Sequence, residues 1–528
     1  MEEMGIRIGH VSLVSGALVS GVIEEERASA AVQFGALVKV PAAGAEVFGL
    51  INNLRTDTGA DGRERRLFDI ELLGETVKDS LFERGVSIYP TLGAPVYIAI
   101  AGDLAKVYAR PEQETVRFGT IHQDRGLPAF AMTDKLLGHH FAILGTTGSG
   151  KSCAAALILH AILKDHENGH VIFLDPHNEY AQSFGDKAEL IDLTNLRLPY
   201  WLLNYEEAVE VLVSREGPYR DSEMAILKSA ILQAKHAYAK KSGAYEHITV
   251  DTPVPYHLGT LVRCIDDQMS KLDRPDNTIP YLRLQSRIET LKDDARFSFM
   301  FSGLDVRDNM SEILSRIMRV PVNGKPMTII DLSGVPSEIV DVVVSMLCRA
   351  VFDFALWNTS RPSLPVLLVC EEAHRYIGAD NAGFGPTKAV MSRIAKEGRK
   401  YGVSLCLVSQ RPSELSLGIL SQCNTLFVLR MSNGPDQDFV RDAVPESGLG
   451  LLNALPALRM QEAVVVGEGV TVPMRIRFDD LEPEHQPRSG AVSFSKAWRR
   501  EIDEDGFVAE TVTRWRHQTR SDKIQTSM

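Results

Sequence analysis

Ala142-Ile143-Leu144-Gly145-Thr146-Thr147-Gly148-Ser149-Gly150-Lys151-Ser152 is the stretch from which the rest of the chain is read. Gly145 and Gly150 are separated by four residues and followed directly by Lys151 and Ser152. An apolar run, Phe141 to Leu144, precedes the loop and predicts a buried strand, and Cys153 to Leu163 follows with a helical pattern. In that setting the glycines let backbone N–H groups turn inward and cradle phosphate oxygens at a helix N-terminus. The expected nucleotide-binding set is Gly145, Thr146, Thr147, Gly148, Ser149, Gly150, Lys151, Ser152 and Cys153. Lys151 reaches toward the β- and γ-phosphates, and the Ser152 hydroxyl helps hold Mg²⁺. ATP and Mg²⁺ are therefore the expected nucleotide and metal.

The chain has 528 residues, 44% hydrophobic and 24% charged, which fits a soluble protein of two to four domains. A net charge of -12 argues against a protein that coats nucleic acid with its whole surface, while leaving room for a local basic channel. Six scattered cysteines form no CxxC pair and read as small buried hydrophobes of a reducing compartment. No apolar run reaches the length of a membrane span, and the acidic N-terminus does not look like a signal peptide, so a cytoplasmic location is expected.

From about residue 5 to 118, short Val/Ile/Leu runs alternate with Gly- and Pro-containing breaks and predict a small all-β barrel. Within it, Thr56 to Arg66 reads as a solvated loop. The α/β core is expected over 119–198 and 320–480. Val171 to Leu174 predicts a strand ending in Asp175-Pro176-His177-Asn178-Glu179-Tyr180, which puts Asp175 and Glu179 at the carboxyl edge of a parallel sheet. Residues 199–319 carry apolar positions at three- and four-residue spacing and read as a helical subdomain inserted between strands. Lys240, Lys241, Arg283, Arg287 and Lys292 are assigned there to solvated helix faces. The sheet resumes at Met327 to Asp331, followed by a helix from Ser337 to Trp357 with Ser337 as its N-cap.

Val366 to Cys370 then predicts a strand ending in Glu371-Glu372-Ala373-His374. Phosphoryl transfer to water needs one carboxylate near Mg²⁺ and a second that orients or deprotonates the water. Adjacent carboxylates can divide those tasks, Glu371 on the metal side through water and Glu372 as the catalytic group. A helix from Lys388 to Tyr401 carries Arg393, Lys396 and Arg399, and any of these can reach a neighbour's site as an arginine finger does or simply face solvent. The strand Val403 to Val408 ends in Ser409-Gln410-Arg411-Pro412, where a polar side chain can sense the γ-phosphate. Pro473 to Phe478 is expected to be the last strand. Residues 481–528 are charged and poor in apolar residues, and Trp498 to Trp515 suggests amphipathic helices that brace another subunit.

Taken in order, the barrel, His139 to Ser152, Asp175 to Tyr180, the helical insert, Glu371 to His374, Glu397-Gly398-Arg399-Lys400-Tyr401-Gly402 and Ser409 to Pro412 resemble the HerA proteins of the FtsK–HerA superfamily. The resemblance runs from roughly residue 5 to 480. It implies a RecA-like P-loop ATPase core with a helical insertion behind a small β-barrel, and a C-terminal segment that clasps the next protomer. It further implies a homo-hexamer around double-stranded DNA that drives a separate nuclease, typically NurA-like, or serves an antiviral effector. By motif, Lys151 and Ser152 take the nucleotide and Mg²⁺ roles, Glu372 the catalytic role, Gln410 that of sensor and Arg399 that of trans-acting arginine. Asn178 stands where the family usually has Gly.

Two functions follow as expectations. The first is an ATP-driven motor on double-stranded DNA that works with a separate effector. The second is a nucleotide-gated hexameric scaffold that assembles and activates a defence effector, a nuclease or an NAD-hydrolysing partner. No nuclease motif is visible in the chain, and a coupling ATPase of the membrane-anchored type would need a span that the sequence does not contain.

Overall fold

The computed structural model describes residues 5–516 apart from 25–31, 59–63, 78–79, 244, 273–274, 302–305, 360–362, 380–384, 445–447, 489–493 and 500–505. The first strands are β1 (Arg7–Ser15), β2 (Leu18–Ile23), β3 (Leu37–Ala42), β4 (Ala45–Thr58), β5 (Glu64–Val77), β6 (Glu83–Arg84) and β7 (Pro95–Ile98). They run in the order β2-β1-β7-β3-β4-β5-β6, and a β2–β5 pairing closes six of them into a barrel. Alternate residues such as Ile8, Val19, Val38, Val40, Val47, Phe68 and Ile70 fill its interior. Gly21 makes room for Phe68, since a Cβ at Gly21 would lie 2.3 Å from that ring.

Thr56 to Arg66 departs from the expected solvated loop. Thr56 pairs with Arg66, Asp57 with Arg65 and Thr58 with Glu64, so the hairpin continues outward as paired strand. Charged cross-strand pairs on an exposed ribbon look like loop sequence because no apolar alternation marks them.

The second sheet contains β8 (Thr115–Ile121), β9 (Pro128–Met132), β10 (Phe141–Leu144), β11 (Val171–Asp175), β12 (Ala188–Ile191), β13 (Met327–Asp331), β14 (Val366–Cys370), β15 (Val403–Ser409), β16 (Thr425–Leu429), β17 (Glu462–Gly467) and β18 (Met474–Phe478). Their order is β12-β13-β11-β14-β15-β10-β16-β17-β18-β8-β9. The pairings from β12 to β16 are parallel and those from β16 to β9 antiparallel. The core strands are buried throughout and largely apolar because helices cover both faces of a parallel sheet. Thr115 to Phe118, read from sequence as the end of the barrel, belong to β8 of this larger sheet. The short strands β12 and β17 also escaped the sequence reading.

Four insert helices lie close to their expected positions, at Tyr205–Leu212, Arg220–Ser242, Leu258–Met269 and Ile279–Asp293. Asn204 and Glu207 form a reciprocal capping box at the first of them, with Glu207 N donating to Asn204 Oδ1 at 2.8 Å and Asn204 N to Glu207 Oε2 at 3.0 Å. The same Glu207 is fully buried and accepts from Arg349 Nη2 at 2.8 Å and Ser345 Oγ at 2.9 Å, which ties the insert to the Val340–Trp357 helix. That helix starts at Val340 rather than at Ser337; its N-cap position is Ile339 and a turn on Pro336 leads in. Arg283 and Arg287 are not merely solvated. Arg283 pairs with buried Glu223 at 2.8 Å, and Arg287 donates to the Val211 carbonyl.

The barrel joins the core through a buried carboxylate. Glu71 on β5 accepts the backbone N–H groups of Gly448 and Gly450. Gly450 has no room for a side chain there, since a Cβ would sit 2.4 Å from Asn52.

Removing one partner of a buried ion pair strands the other. Glu207→Ala should cost about 3 kcal/mol of stability and lower the midpoint of thermal unfolding, with Glu207→Gln intermediate because the amide still accepts from Arg349.

Candidate active site

Strand register assembles the site. Leu144 is level with Ser409, Cys370 with Leu407 and Leu174 with Cys370, so the tips of β10, β15, β14 and β11 end side by side. Gly145, Gln410, Glu371–Glu372 and Asp175 follow at that shared carboxyl edge, the usual ligand side of an open α/β sheet. The loop after β10 turns through left-handed backbone at Gly148 (φ 75°) and Gly150 (φ 101°) and enters the Lys151–Asp165 helix. Thr146 anchors it to the end of β16, its N–H and hydroxyl both donating to the Arg430 carbonyl at 3.1 Å.

Lys151 is 7% exposed, and its Nζ donates to the Thr146 carbonyl at 3.0 Å. Burial lowers its pKa, opposed by Glu371, Glu372 and Glu179. The Ser152 hydroxyl donates to Glu179 Oε2 at 3.4 Å. Cys153 lies next on the helix, exposed, and its thiol pKa is raised by burial on its inner side and by Glu179. Asn178 stands at φ 54°, the left-handed backbone that Gly would supply and that Asn tolerates best among the remaining residues. Asp175 fixes this turn by accepting from His177 N at 3.1 Å and Tyr180 N at 3.0 Å, and burial raises its pKa.

Glu371 and Glu372 are both buried, at 4% and 8% exposure, but their surroundings differ. Glu371 accepts from the fully buried Tyr180 hydroxyl at 3.0 Å. Burial, and then the neighbouring Glu372 charge, push its pKa up to about 8. Glu372 has left-handed backbone, φ 50°, a strained conformation for a residue with a side chain. Its Oε1 accepts from Gln410 Nε2 at 2.8 Å, while its Oε2 is buried with no hydrogen-bond donor among the described residues. His374 Nδ1 lies 3.3 Å from that Oε2 and 3.2 Å from Ser409 Oγ, and burial holds the ring below the usual histidine range. Gln410 also accepts from the Thr147 hydroxyl, which links the sensor position to the phosphate loop.

The expected residues therefore meet at one edge, with Arg399 the exception. Arg399 is exposed and lines a cavity of about 330 Å³ among Gly169, His170, Pro365 and Gly402, at the amino ends of β11, β14 and β15. It sits on the opposite edge from its own phosphate loop. Arg393 lies 4.8 Å over the Phe352 ring and 3.6 Å from Glu397. Gly398 between them permits close packing on β15, since a Cβ would come 2.5 Å from the Val403 carbonyl.

The donor set fits a metal-bound nucleoside triphosphate. Left-handed glycines turn the loop at a helix N-terminus, where an ammonium and a hydroxyl face three carboxylates. Ser152, with Glu371 or Glu179 through water, would hold the Mg²⁺. Sequence reasoning missed Tyr180 as the partner of Glu371. The two are far apart in the chain, and only the register of β11 on β14 brings them together.

Known proteins resemble this chain over most of its length. A family profile described as "Helicase HerA, central domain" matches residues 116–351. The chain is 27% identical over 454 residues to the DNA double-strand break repair helicase HerA of Pyrococcus furiosus, covering 77% of this chain and 76% of the relative. It is 28% identical to the protein of the same name from Sulfurisphaera tokodaii over 74% of each chain. It is also 26% identical to a probable HerA of Methanocaldococcus jannaschii over 83% of this chain and 89% of the other. Among solved structures, VirB4 of Thermoanaerobacter pseudethanolicus shares the fold, with a TM-score of 0.51 at 18% identity over 71% of this chain and 98% of that one.

The left-handed turn gives a direct test. Asn178→Gly should leave stability nearly unchanged, whereas Asn178→Val should cost about 1–2 kcal/mol, read as a lowered midpoint of thermal unfolding.

Proposed function

We propose that this chain, a HerA-type P-loop ATPase, is a ring-forming motor that couples Mg²⁺-dependent ATP hydrolysis to movement along double-stranded DNA and works with a separate nuclease or antiviral effector. The observation that carries the reading is the gathering of Lys151 and Ser152 of the phosphate loop at one sheet edge with Glu372, whose one carboxylate oxygen is held by Gln410 and whose other accepts no hydrogen bond among the described residues and has His374 Nδ1 at 3.3 Å. The names of the curated relatives, DNA double-strand break repair helicases, support a DNA substrate. Among the described residues, no helix is long and apolar enough to cross a membrane.

The residues divide the work. Loop N–H groups and Lys151 bind and orient the phosphates, and Lys151 offsets the charge that develops on the transferred group. Ser152, with Glu371 or Glu179 through water, would hold the metal, which would supply positive charge against the phosphates. Glu372 Oε2 accepts a proton from the attacking water, and Gln410 keeps the carboxylate turned toward it. Arg399 faces away from its own loop and acts on the next protomer's nucleotide, which makes a closed ring, most simply a hexamer, part of the active unit. Residues 483–488 pack on their own subunit, where Arg488 N donates to the Glu179 carbonyl at 2.8 Å and the His485 ring lies 4.4 Å from His160. Bracing of a neighbour therefore falls to the segment beyond them, where Phe494, Trp498 and Trp515 are exposed.

Glu372→Gln should keep nucleotide binding and lose hydrolysis by about 100-fold or more, because an amide keeps the shape and takes no proton. Lys151→Ala should weaken binding itself. ATPase activity at the wild-type rate in Glu372→Gln would refute the assignment of the carboxylate.

The motor and scaffold readings differ in their dependence on salt. A motor that grips phosphates should show duplex-stimulated ATPase whose apparent DNA affinity falls steeply with salt, while a scaffold should show little stimulation at any salt. Arg399→Ala mixed with Lys151→Ala should regain partial activity in mixed rings, because some interfaces pair an intact loop with an intact arginine. If Arg399 serves its own subunit, every mixture stays inactive.

A further inference from the structure

We infer that Thr147 is a positioning residue for hydrolysis: its hydroxyl fixes the amide of Gln410, which in turn holds the Glu372 carboxylate with one oxygen free for water. The inference rests on the reading of Glu372 as the proton acceptor.

The chain of contacts sets its own direction. An ionised carboxylate only accepts hydrogen bonds, so the Gln410 amide must present its NH₂ to Glu372 Oε1, which it does at 2.8 Å. That leaves Gln410 Oε1 pointing at Thr147, whose hydroxyl must then be the donor. Were the amide turned over, two acceptors would face each other at Glu372, so the carboxylate sets the orientation of the amide, and the Thr147 hydroxyl, donating to its Oε1, holds it in place. With Oε1 held, the buried Oε2 is the remaining oxygen; it accepts no hydrogen bond among the described residues, and His374 Nδ1 stands 3.3 Å from it. The left-handed backbone at Glu372 removes slack from the same side chain. Thr147 is exposed at the apex of the loop that binds the phosphates, so the orientation of the base is referenced to the phosphate cradle itself. Nucleotide binding by that loop uses its backbone N–H groups, and these are unaffected by the Thr147 side chain.

The test is a split between kcat and KM in the full chain with duplex DNA. Thr147→Val keeps the branched shape and loses the hydroxyl; Thr147→Ser keeps the hydroxyl; Thr147→Ala is a second deletion. Both deletions should lower kcat about 10-fold or more, with KM and the affinity for a fluorescent ADP analogue changed about twofold at most, and Thr147→Ser should remain near wild type. A Thr147→Val enzyme with wild-type kcat would overturn the inference. So would a raised KM at unchanged kcat, which would make the hydroxyl a ground-state nucleotide contact. Glu372→Gln measured in parallel separates the two readings. An active Glu372→Gln removes the base on which the inference rests, whereas an inactive Glu372→Gln beside a fully active Thr147→Val overturns the role of Thr147 alone.

Discussion

Burying ionisable groups together at the tips of parallel strands is the constraint on which the rest of this structure turns. Lys151, Glu371 and Glu372 are each more than nine-tenths buried. Water no longer screens them there, and each pays a desolvation cost that only its neighbours offset. The cost shows in both directions, with the Lys151 ammonium pushed down and the Glu371 carboxyl pushed up to about 8. A site that shifts Glu371 and Lys151 toward neutrality is primed for a ligand that brings strong charges of its own. The same low dielectric makes each remaining contact count, so Tyr180 on Glu371 and Gln410 on Glu372 are directional choices between two chemically identical carboxylates.

Those choices hold only if the strand tips stay level, and the sheet is built to keep them so. β14 and β15 lie within the parallel part of the sheet, flanked by β11 and β10, and every residue of these four strands is buried. A slip of one residue in any of them would turn a site residue toward the wrong face. The antiparallel extension through β16, β17, β18, β8 and β9 continues the sheet toward the barrel. Glu71 then clamps the barrel to the Gly448–Gly450 turn. The cost of burying Glu71 is met by two backbone donors, so the barrel is fixed to the core by polar contacts as well as by packing.

The sequence made the chemistry legible and left much of the geometry hidden. The phosphate loop, Glu371–Glu372, Gln410 and the insert helices could be read because their signals are local: glycine spacing, an apolar strand ending in acid, apolar positions every three or four residues. What could not be read was carried by pairing across long distances. β12 is four residues with Glu189 inside it, a pattern that only its pairing with β13 makes a strand. The hairpin through Thr56 and Arg66 is charged on its exposed ribbon, and charge reads as loop. Ser337 looks like a cap, but Pro336 starts a turn first and delays the helix to Val340. Arg283 looked solvated because nothing in its own helix names Glu223 as its partner. Asn178 runs the other way: the departure from the family's Gly keeps the turn, because Asn is the next residue able to take left-handed backbone at low cost.

Arg399 carries the argument furthest from the single chain. A parallel sheet has two unlike edges, and the Gly385–Tyr401 helix returns from the carboxyl edge to the amino edge before β15 begins. Its last turn is therefore held away from the strand tips by topology alone, whatever residues it carries. Arg393 satisfies its charge within the protomer, against Glu397 and the Phe352 ring. Arg399 lines an apolar cavity at the amino edge beside Gly402, whose left-handed backbone (φ 77°) turns the chain directly into β15. The strand that Arg399 precedes thus ends at Ser409, directly before Gln410, and one short segment spans both edges of the sheet. A strand of seven buried residues is what joins Arg399 at one edge of the sheet to Gln410 at the other.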